Sequence, residues 1–218
     1  MYTLAFDTTN RKVYLAILKK DEILFEREWK SNANESETLI KTIKSFTDET
    51  PMFFQQLKKI MVVVGPGGFN GTRAGVVVAN MLMWLTGAGV SSYKTFDWWK
   101  KRLTKDDQKR SPHLILKATE QEIYVDGKPV EFEKFAKEIK KRKGTYVAYG
   151  EITPTQQFAF KELVHFQWID AGQLLSFGKV MKEVIKGKIS GGGKKSPVSV
   201  LYIRPPHITA PKKKTQYV

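Results

Sequence analysis

One stretch of this sequence decides its fold: Gly65-Pro66-Gly67-Gly68-Phe69-Asn70-Gly71-Thr72-Arg73-Ala74-Gly75. The residues directly before it, Lys59 to Val64, form a short run that ends in consecutive valines, as in a strand covered on both faces. Directly after it, a largely apolar run with helical character extends to about Leu85. The stretch is therefore predicted to be a strand-to-helix turn in an α/β domain.

The glycines of this stretch have two interpretations. Glycine lets the backbone approach another group closely, and a helix that begins there points its amide hydrogens outward, so a phosphate is one candidate ligand. However, the Gly-Lys-Ser/Thr ending of a Walker A loop is missing, and the stretch does not open a first βαβ unit as the dinucleotide fingerprint does. Close packing of the turn is the alternative. Arg73 either binds a phosphate or carboxylate in bidentate fashion or holds the loop in place.

A second candidate site lies at the end of the first predicted strand, at Asp7-Thr8-Thr9. A carboxylate followed by hydroxyls can hold a magnesium–phosphate unit, as in actin-like ATPases and sugar kinases. Alternatively, these side chains form a turn through their own hydrogen bonds. The candidate nucleotide or anion site, which is interpreted as vestigial, comprises Asp7, Thr8, Gly67, Gly68 and Arg73.

The first half of the chain reads β-β-β-α-β-α-β-α. Three β-rich runs predict an antiparallel meander at Tyr2 to Thr8, Lys12 to Lys20 and Glu22 to Lys30. Asn34 and Glu37 have the spacing of a capping box and precede an amphipathic helix. After the glycine turn and its helix, a strand is predicted at Ser91 to Thr95 and a helix at Phe96 to Leu103.

A charged segment that ends in proline, Thr104 to Pro112, is predicted to separate two lobes. Beyond it we expect strands at Leu114 to Thr119, Glu122 to Val125 and Thr145 to Tyr149, a helix at Phe132 to Lys141, and helices capped by Thr153 with Gln156 and by Asp170 with Gln173. The predicted organisation is an N-terminal lobe at 1–104, a C-terminal lobe at 113–190, and a stretch at 191–218 that holds a flexible basic linker, a short strand at Val198 to Ile203 and a basic tail.

Composition narrows the class of function. The 218 residues include 37 Lys plus Arg against 22 Asp plus Glu, a formal charge of +15 that favours polyanionic partners, although a basic surface can also serve solubility alone. The absence of cysteine excludes disulfides, thiolate catalysis and cysteine-ligated metals. The three histidines lack metal-site spacing, so no metal site is predicted. With no apolar run of about 20 residues and no leader pattern, a cytoplasmic location is expected.

The residues Leu4-Ala5-Phe6-Asp7-Thr8-Thr9, followed by a meander, a helix and the glycine stretch, resemble the TsaB (YeaZ) family. The corresponding segments of that family read approximately I-D-T-S/A and G-P-G-S-F-T-G-x-R-x-G. Weaker matches are Glu122-Ile123-Tyr124, similar to the family's G-E-V-Y, and Leu201-Tyr202-Ile203-Arg204, similar to its P-x-Y-L-R. Between about Lys128 and Lys195 only the order of elements is compatible.

The resemblance implies an actin-like (ASKHA) fold with two RNase H-like lobes, and a role in the synthesis of threonylcarbamoyladenosine on tRNA. Within that family the protein is a scaffold. It pairs with the catalytic paralogue TsaD through a bundle formed by its first two helices, and the ATPase TsaE joins them. The resemblance implies no cofactor on this chain, with ATP or ADP and metal on the partner subunits. A homodimer through the same helices is an alternative for the free protein.

In this chain those two helices are about Glu35 to Phe46 and Thr72 to Leu85. The second is apolar on nearly all sides, so a partner is one way to cover it. The predicted partner interface comprises Leu39, Ile40, Ile43, Val76, Ala79, Asn80 and Met83. The candidate tRNA contacts, for which a solvated tail is the alternative, are Lys194, Lys195, Lys212, Lys213 and Lys214.

The chain also departs from the family. It has Asn34-Glu35-Ser36-Glu37 where relatives have a His-containing segment, and it lacks the H-x-x-x-H pair of TsaD-type enzymes. In place of D-A-R-x-G-E-V-Y it begins with Lys117, and a lysine cannot coordinate a cation. Asp7 therefore lacks a second acid, which indicates a non-catalytic subunit. The alternatives are an actin-like ATPase or small-molecule kinase that uses Asp7 and the glycine stretch, and a stand-alone tRNA-binding module.

Overall fold

The structure is a computed structural model that describes residues 1–20, 22–32, 34–188 and 196–203. The elements of the first half are β1 (Tyr2–Asp7), β2 (Lys12–Lys19), β3 (Glu22–Lys30), α1 (Glu35–Asp48), α2 (Phe53–Gln56), β4 (Leu57–Val63), α3 (Phe69–Thr86), β5 (Gly89–Tyr93), α4 (Thr95–Lys100) and α5 (Lys105–Lys109). Those of the second half are β6 (His113–Lys117), β7 (Glu122–Val125), β8 (Lys128–Glu131), α6 (Phe132–Lys141), β9 (Tyr146–Glu151), α7 (Pro154–Lys161), β10 (Phe166–Trp168) and α8 (Phe177–Glu183).

The two halves repeat one topology. The first sheet has the order β3-β2-β1-β4-β5, and the second, read in the matching direction, has the order β8-β7-β6-β9-β10. In each sheet the central strand pairs antiparallel with the next strand of a meander and parallel with a strand that follows a helix. The ends of β1 and β6 therefore occupy corresponding places, and this relationship positions the cleft between the sheets.

The first sheet is covered on both faces, as expected for a sheet with central parallel strands. Leu4 and Phe6 of β1 belong to a core shared with α1 and α3. Between them, Ala5 belongs to a second core with α4, α8 and residues of β6 and β9, so this second core joins the two halves. A third core lies between the second sheet and the helices α6 and α7.

The C-terminal part of the chain returns to the first sheet. Helix α8 packs on β2 and β3, and the amide of Gly178 donates to Glu26 Oε1 at 2.7 Å. The expected lobe at 113–190 did not anticipate this return, because helix periodicity does not say which sheet a helix covers. The predicted strand at Val198 to Ile203 is wrong, since the segment lies beside the first sheet without joining its ladder. Its backbone meets the sheet end where Leu201 N donates to Val64 O at 2.7 Å.

The observed helix starts can be compared with the helix caps predicted from the sequence. Thr153 and Gln156 form the predicted capping box at α7, with reciprocal bonds of 3.1 and 3.2 Å. The box predicted at Asn34 is wrong, because that side chain makes no capping bond to α1. Asp170 and Gln173 cap a single 3-10 turn, whereas α8 begins after Ser176.

Two short strands, β8 and β10, were not predicted, because runs of four and three residues carry almost no periodic signal.

No helix in the described ranges is both long enough and apolar enough to cross a bilayer. The longest of them, α3, instead begins at the glycine stretch and packs against the first sheet. It starts at Phe69, three residues before the predicted start, and ends at a left-handed Gly87.

Candidate functional site

The glycine stretch lies against the end of β1, and the contact leaves no room for side chains. A Cβ on Gly67 would overlap the carbonyl oxygen of Thr9, and one on Gly71 would overlap that of Thr8. A Cβ on Gly75 would overlap the hydroxyl of Thr8. These glycines therefore allow α3 to approach the strand end, which supports the close-packing interpretation of the stretch.

Hydrogen bonds hold this approach in place. The amide of Gly68 donates to the carbonyl oxygen of Thr9, and the hydroxyl of Thr8 donates to the carbonyl oxygen of Gly71, both at 2.7 Å. The amide of Gly68, which a phosphate-binding loop would present to its ligand, is thus already bonded within the chain. The stretch acts here as a joint between β1 and α3.

Asp7 is fully buried beneath this joint. Its carboxylate accepts hydrogen bonds from Thr9 N at 2.7 Å, from the indole Nε1 of Trp98 at 2.8 Å and from Asn10 Nδ2 at 3.3 Å. Burial raises the pKa of Asp7 to about 6, although these hydrogen bonds act in the opposite direction. The arrangement favours the turn interpretation, in which the carboxylate satisfies donors of its own chain.

A cavity of about 240 Å³ opens between the two halves above Asp7. Thr8, Gly68 and Arg11 line its first side, and Lys117 and Glu151 line its second. The ammonium group of Lys117 pairs with Glu120. In the part of the chain that the structure describes, no group of three His, Asp or Glu residues is placed to hold a metal ion.

Glu151 joins the two halves at this cavity. Its Oε1 accepts a hydrogen bond from the backbone amide of Lys12 at 2.9 Å, whereas its Oε2 is buried and has no hydrogen-bond partner among the described residues. Burial and, to a smaller extent, the nearby Asp7 raise the pKa of Glu151 to about 7, while Lys12 and Arg11 act in the opposite direction. The sequence did not indicate Glu151, because the residue lies two positions beyond the predicted strand at Thr145 to Tyr149 and belongs to no motif.

Arg73 does not belong to this cavity. Its exposed guanidinium lies 5.0 Å from the ring centre of Phe69, and Phe69 stacks on Tyr202 with ring centres 5.5 Å apart. Of the predicted nucleotide or anion site, Thr8 and Gly68 line the cavity, Asp7 lies beneath it, and Arg73 is directed elsewhere.

The predicted partner interface needs correction, because most of its side chains are core residues. Five of them are at most 7% exposed and pack against the first sheet: Leu39, Ile43, Val76, Ala79 and Met83. Asn80 is half-buried and exchanges two hydrogen bonds of 2.9 Å with the backbone of Val198. Of the predicted residues, only Ile40 is exposed, at 44%. A side chain that fills the chain's own core is not available to a partner.

The opposite side of α3 instead carries exposed apolar side chains. Val77 is 63% exposed, Trp84 81% and Leu85 75%. Together with Met81 and Ile40 of α1, these residues form the surface called here the α1–α3 face. Between the two helices lies a groove of about 530 Å³, lined by Ile40, Met81 and Leu85 among others. Residues 77, 81, 84 and 85 lie on one side of a helix, so this apolar stripe was visible in the sequence. The buried side of α3 is equally apolar, however, so periodicity did not show which side is exposed.

The tRNA contacts predicted at Lys194, Lys195, Lys212, Lys213 and Lys214 lie outside the described residues. The structure therefore does not bear on them.

Comparison with known proteins gave sequence and structural relatives, and no family model matches the chain. Over 97 residues, which are 44% of this chain and 42% of the relative, it is 31% identical to the tRNA threonylcarbamoyladenosine biosynthesis protein TsaB of Bacillus subtilis. The aligned segment thus spans less than half of that relative's length.

Two solved structures from Pseudomonas aeruginosa are similar over nearly their whole length. A protein described as similar to peptidase YEAZ has a TM-score of 0.65, and YeaZ has 0.63; each is 14% identical, and the alignments cover 93% and 92% of this chain and 99% of each neighbour. The fold is therefore the predicted actin-like, RNase H-like α/β fold with two lobes.

Proposed function

We propose that this chain is a member of the TsaB/YeaZ family and a non-catalytic subunit in the synthesis of threonylcarbamoyladenosine on tRNA. In this role it binds and stabilises the catalytic subunit TsaD, with TsaE as a further member of the assembly. The name of the Bacillus subtilis relative supports the pathway.

The observation that carries the proposal is the α1–α3 face. Monomeric proteins rarely expose a contiguous set of large apolar side chains, and such sets mark interaction sites. Trp84 and Leu85 are each at least 75% exposed, and tryptophan is enriched among residues that dominate binding energies. Burying one such side chain on a partner stabilises a complex by about 1.5–3 kcal/mol.

The residues at the cleft between the halves support a catalytic role less than the α1–α3 face supports a role in partner binding. The last residue of the central strand is Asp7 in the first sheet and Lys117 in the second, so the ends of the two central strands do not present a pair of acids. The carboxylate of Asp7 already accepts hydrogen bonds from Thr9, Asn10 and Trp98. A cation or attacking water at Asp7 would have to displace those donors.

The test is association of the full chain with the cognate TsaD, measured by co-purification and by titration. We expect Val77→Glu and Trp84→Glu each to weaken association by about tenfold or more, because each places a charge in an apolar interface. The matched control is Val164→Glu, since Val164 is 92% exposed on the second lobe. It should associate like the wild type. Unchanged association of a folded Val77→Glu variant would overturn the proposed interface.

Two measurements test the alternatives. If the α1–α3 face serves a homodimer instead, sedimentation will show a dimer that Trp84→Glu dissociates while TsaD association is unaffected. If the chain is an ATPase, the isolated protein will show magnesium-dependent turnover that Asp7→Asn abolishes, and that result would contradict the non-catalytic assignment.

A further inference from the structure

We propose that a groove beside α4 binds the phosphate backbone of RNA through Lys94, Lys100 and Lys101, and so gives this chain its own contact with the tRNA. The identification of the RNA as tRNA rests on the proposed function, whereas the groove and its charge do not. These three residues, with Ser92 and Ser199, are called here the lysine groove.

The lysine groove is a built feature of the fold. Its volume is about 680 Å³, and it separates the end of β5 and helix α4 from the segment 199–201. The two sides are joined through Val64, whose amide donates to Tyr93 O at 2.9 Å and whose carbonyl oxygen accepts from Leu201 N at 2.7 Å. These two hydrogen bonds connect the two sides of the groove through the backbone.

The charge in the groove is mainly positive, and its lysines are not paired with carboxylates of the described residues. Lys94, Lys100 and Lys101 face a single carboxylate, that of Asp97. Within the described ranges none of the three ammonium groups forms an ion pair or a hydrogen bond. Some other surface lysines in the described ranges are paired with a carboxylate, such as Lys44 with Asp48 at 2.8 Å. Such a concentration of unpaired positive charge attracts a polyanion.

The spacing of the lysines favours a chain of phosphates over one small anion. Lys94 directly precedes α4, Lys100 is its last residue and Lys101 follows it, so at 1.5 Å rise per residue the backbone positions of Lys94 and Lys100 are about 9 Å apart along the helix. Lysines separated in this way are better placed to contact successive phosphates of a chain than to surround a single small anion. The exposed hydroxyls of Ser92 and Ser199 add donors of the kind that bind phosphate oxygens.

The experiment measures the affinity of an unmodified tRNA transcript at several salt concentrations, for the full chain alone and for its complex with TsaD. The groove variant carries Lys94→Gln, Lys100→Gln and Lys101→Gln. The control carries Lys134→Gln, Lys137→Gln and Lys140→Gln on the exposed side of α6, so both variants lose the same charge. Thermal unfolding confirms that each variant is folded.

We expect the groove variant to lower the slope of log affinity against log salt by about two to three units, because each lost lysine–phosphate contact contributes about one. The control should keep the wild-type slope. An equal loss in both variants would overturn the proposal, since net charge alone would then explain the binding. An unchanged slope, or a wild-type complex that does not bind tRNA, would also overturn it. So would a groove variant that loses TsaD association with its tRNA slope intact, because the occupant would then be an acidic protein segment.

The same data separate the two proposals. If TsaD association is absent but the groove variant still lowers the tRNA slope of the isolated chain, the proposed function fails and the groove remains. If TsaD association depends on Trp84 but the slopes do not change, the groove proposal fails alone.

Discussion

Lys117 is the last residue of β6 and Asp7 is the last residue of β1, so a cation and an acid end the central strands of the two sheets. Lys117 lines the cavity between the halves together with Glu151 at the end of β9, and Asp7 is buried beneath it. The cleft therefore combines a lysine with two carboxylates, those of Asp7 and Glu151, which are close enough for Asp7 to raise the pKa of Glu151. Its titratable groups have measurable consequences for stability.

Glu151 should make the chain less stable as pH rises through neutrality. Burial raises the pKa of Glu151 from 4.5 to about 7, so between these pH values the folded chain binds more protons than the unfolded chain. The free energy of unfolding therefore falls across this window, by at most about 3 kcal/mol. Glu151→Gln should flatten that part of the pH profile measured by urea unfolding.

The control for this profile is Glu133→Gln, which removes an exposed carboxylate from α6. It should follow the wild-type profile. Asp7 has a raised pKa of about 6 and keeps a smaller fall at lower pH in both variants. Parallel profiles for the wild type and Glu151→Gln would contradict the assignment.

Gly71→Ala should destabilise the chain although alanine is the better helix former. The added Cβ would overlap the carbonyl oxygen of Thr8, and relieving such an overlap costs about 1–3 kcal/mol. Gly172→Ala is the matched control, because no atom lies within 4 Å of its Cβ position. Urea midpoints measure both. Equal midpoints would show that α3 does not need this close approach.

Arg102→Ala should lower the free energy of unfolding by about 2–4 kcal/mol. The guanidinium is buried, donates to Leu175 O at 3.0 Å and to the hydroxyl of Tyr14 at 3.3 Å, and lies 4.6 Å from the ring centre of Trp99. Arg73→Ala removes an exposed cation–π contact and should cost less than about 1 kcal/mol. Similar losses in thermal unfolding would mean that burial of Arg102 adds nothing.

Asn80→Ala should release the segment that follows Ser196. The Asn80 amide group exchanges two hydrogen bonds with the backbone of Val198, so its loss exposes that amide to water. Hydrogen exchange at Val198 should accelerate by about tenfold or more. Asn70→Ala, an exposed change on the same helix, should leave it unaltered. Unchanged exchange in Asn80→Ala would show that other contacts hold the segment.

The local predictions that the structure confirmed each depend on a few residues whose packing or hydrogen bonding determines the local backbone. The glycine stretch predicted a strand-to-helix turn because only glycine fits where α3 touches Thr8 and Thr9. Thr153 predicted a helix start because its hydroxyl and Gln156 satisfy two amides that any helix leaves unpaired. Asn34 had similar spacing, but its side chain was not used.

Two features of the structure, the exposed side of α3 and the sheet that α8 covers, do not follow from local sequence patterns. Periodicity placed apolar residues on all sides of α3, and only the position of the first sheet decides that Val76 and Met83 are buried while Val77 and Trp84 are exposed. Likewise, helix α8 follows the second sheet in the chain yet covers the first, because the contact is made by residues about 150 positions apart.

The sequence by itself determined the α/β class, the turn at Gly65 to Gly75 and the lysine at position 117, because these depend on residue types and their near neighbours. Only the tertiary structure decided which face of α3 is free, that Asp7 is bonded within the chain, and that Lys94 and Lys100 border one groove. Those properties depend on which distant surfaces meet, and packing settles that for the chain as a whole.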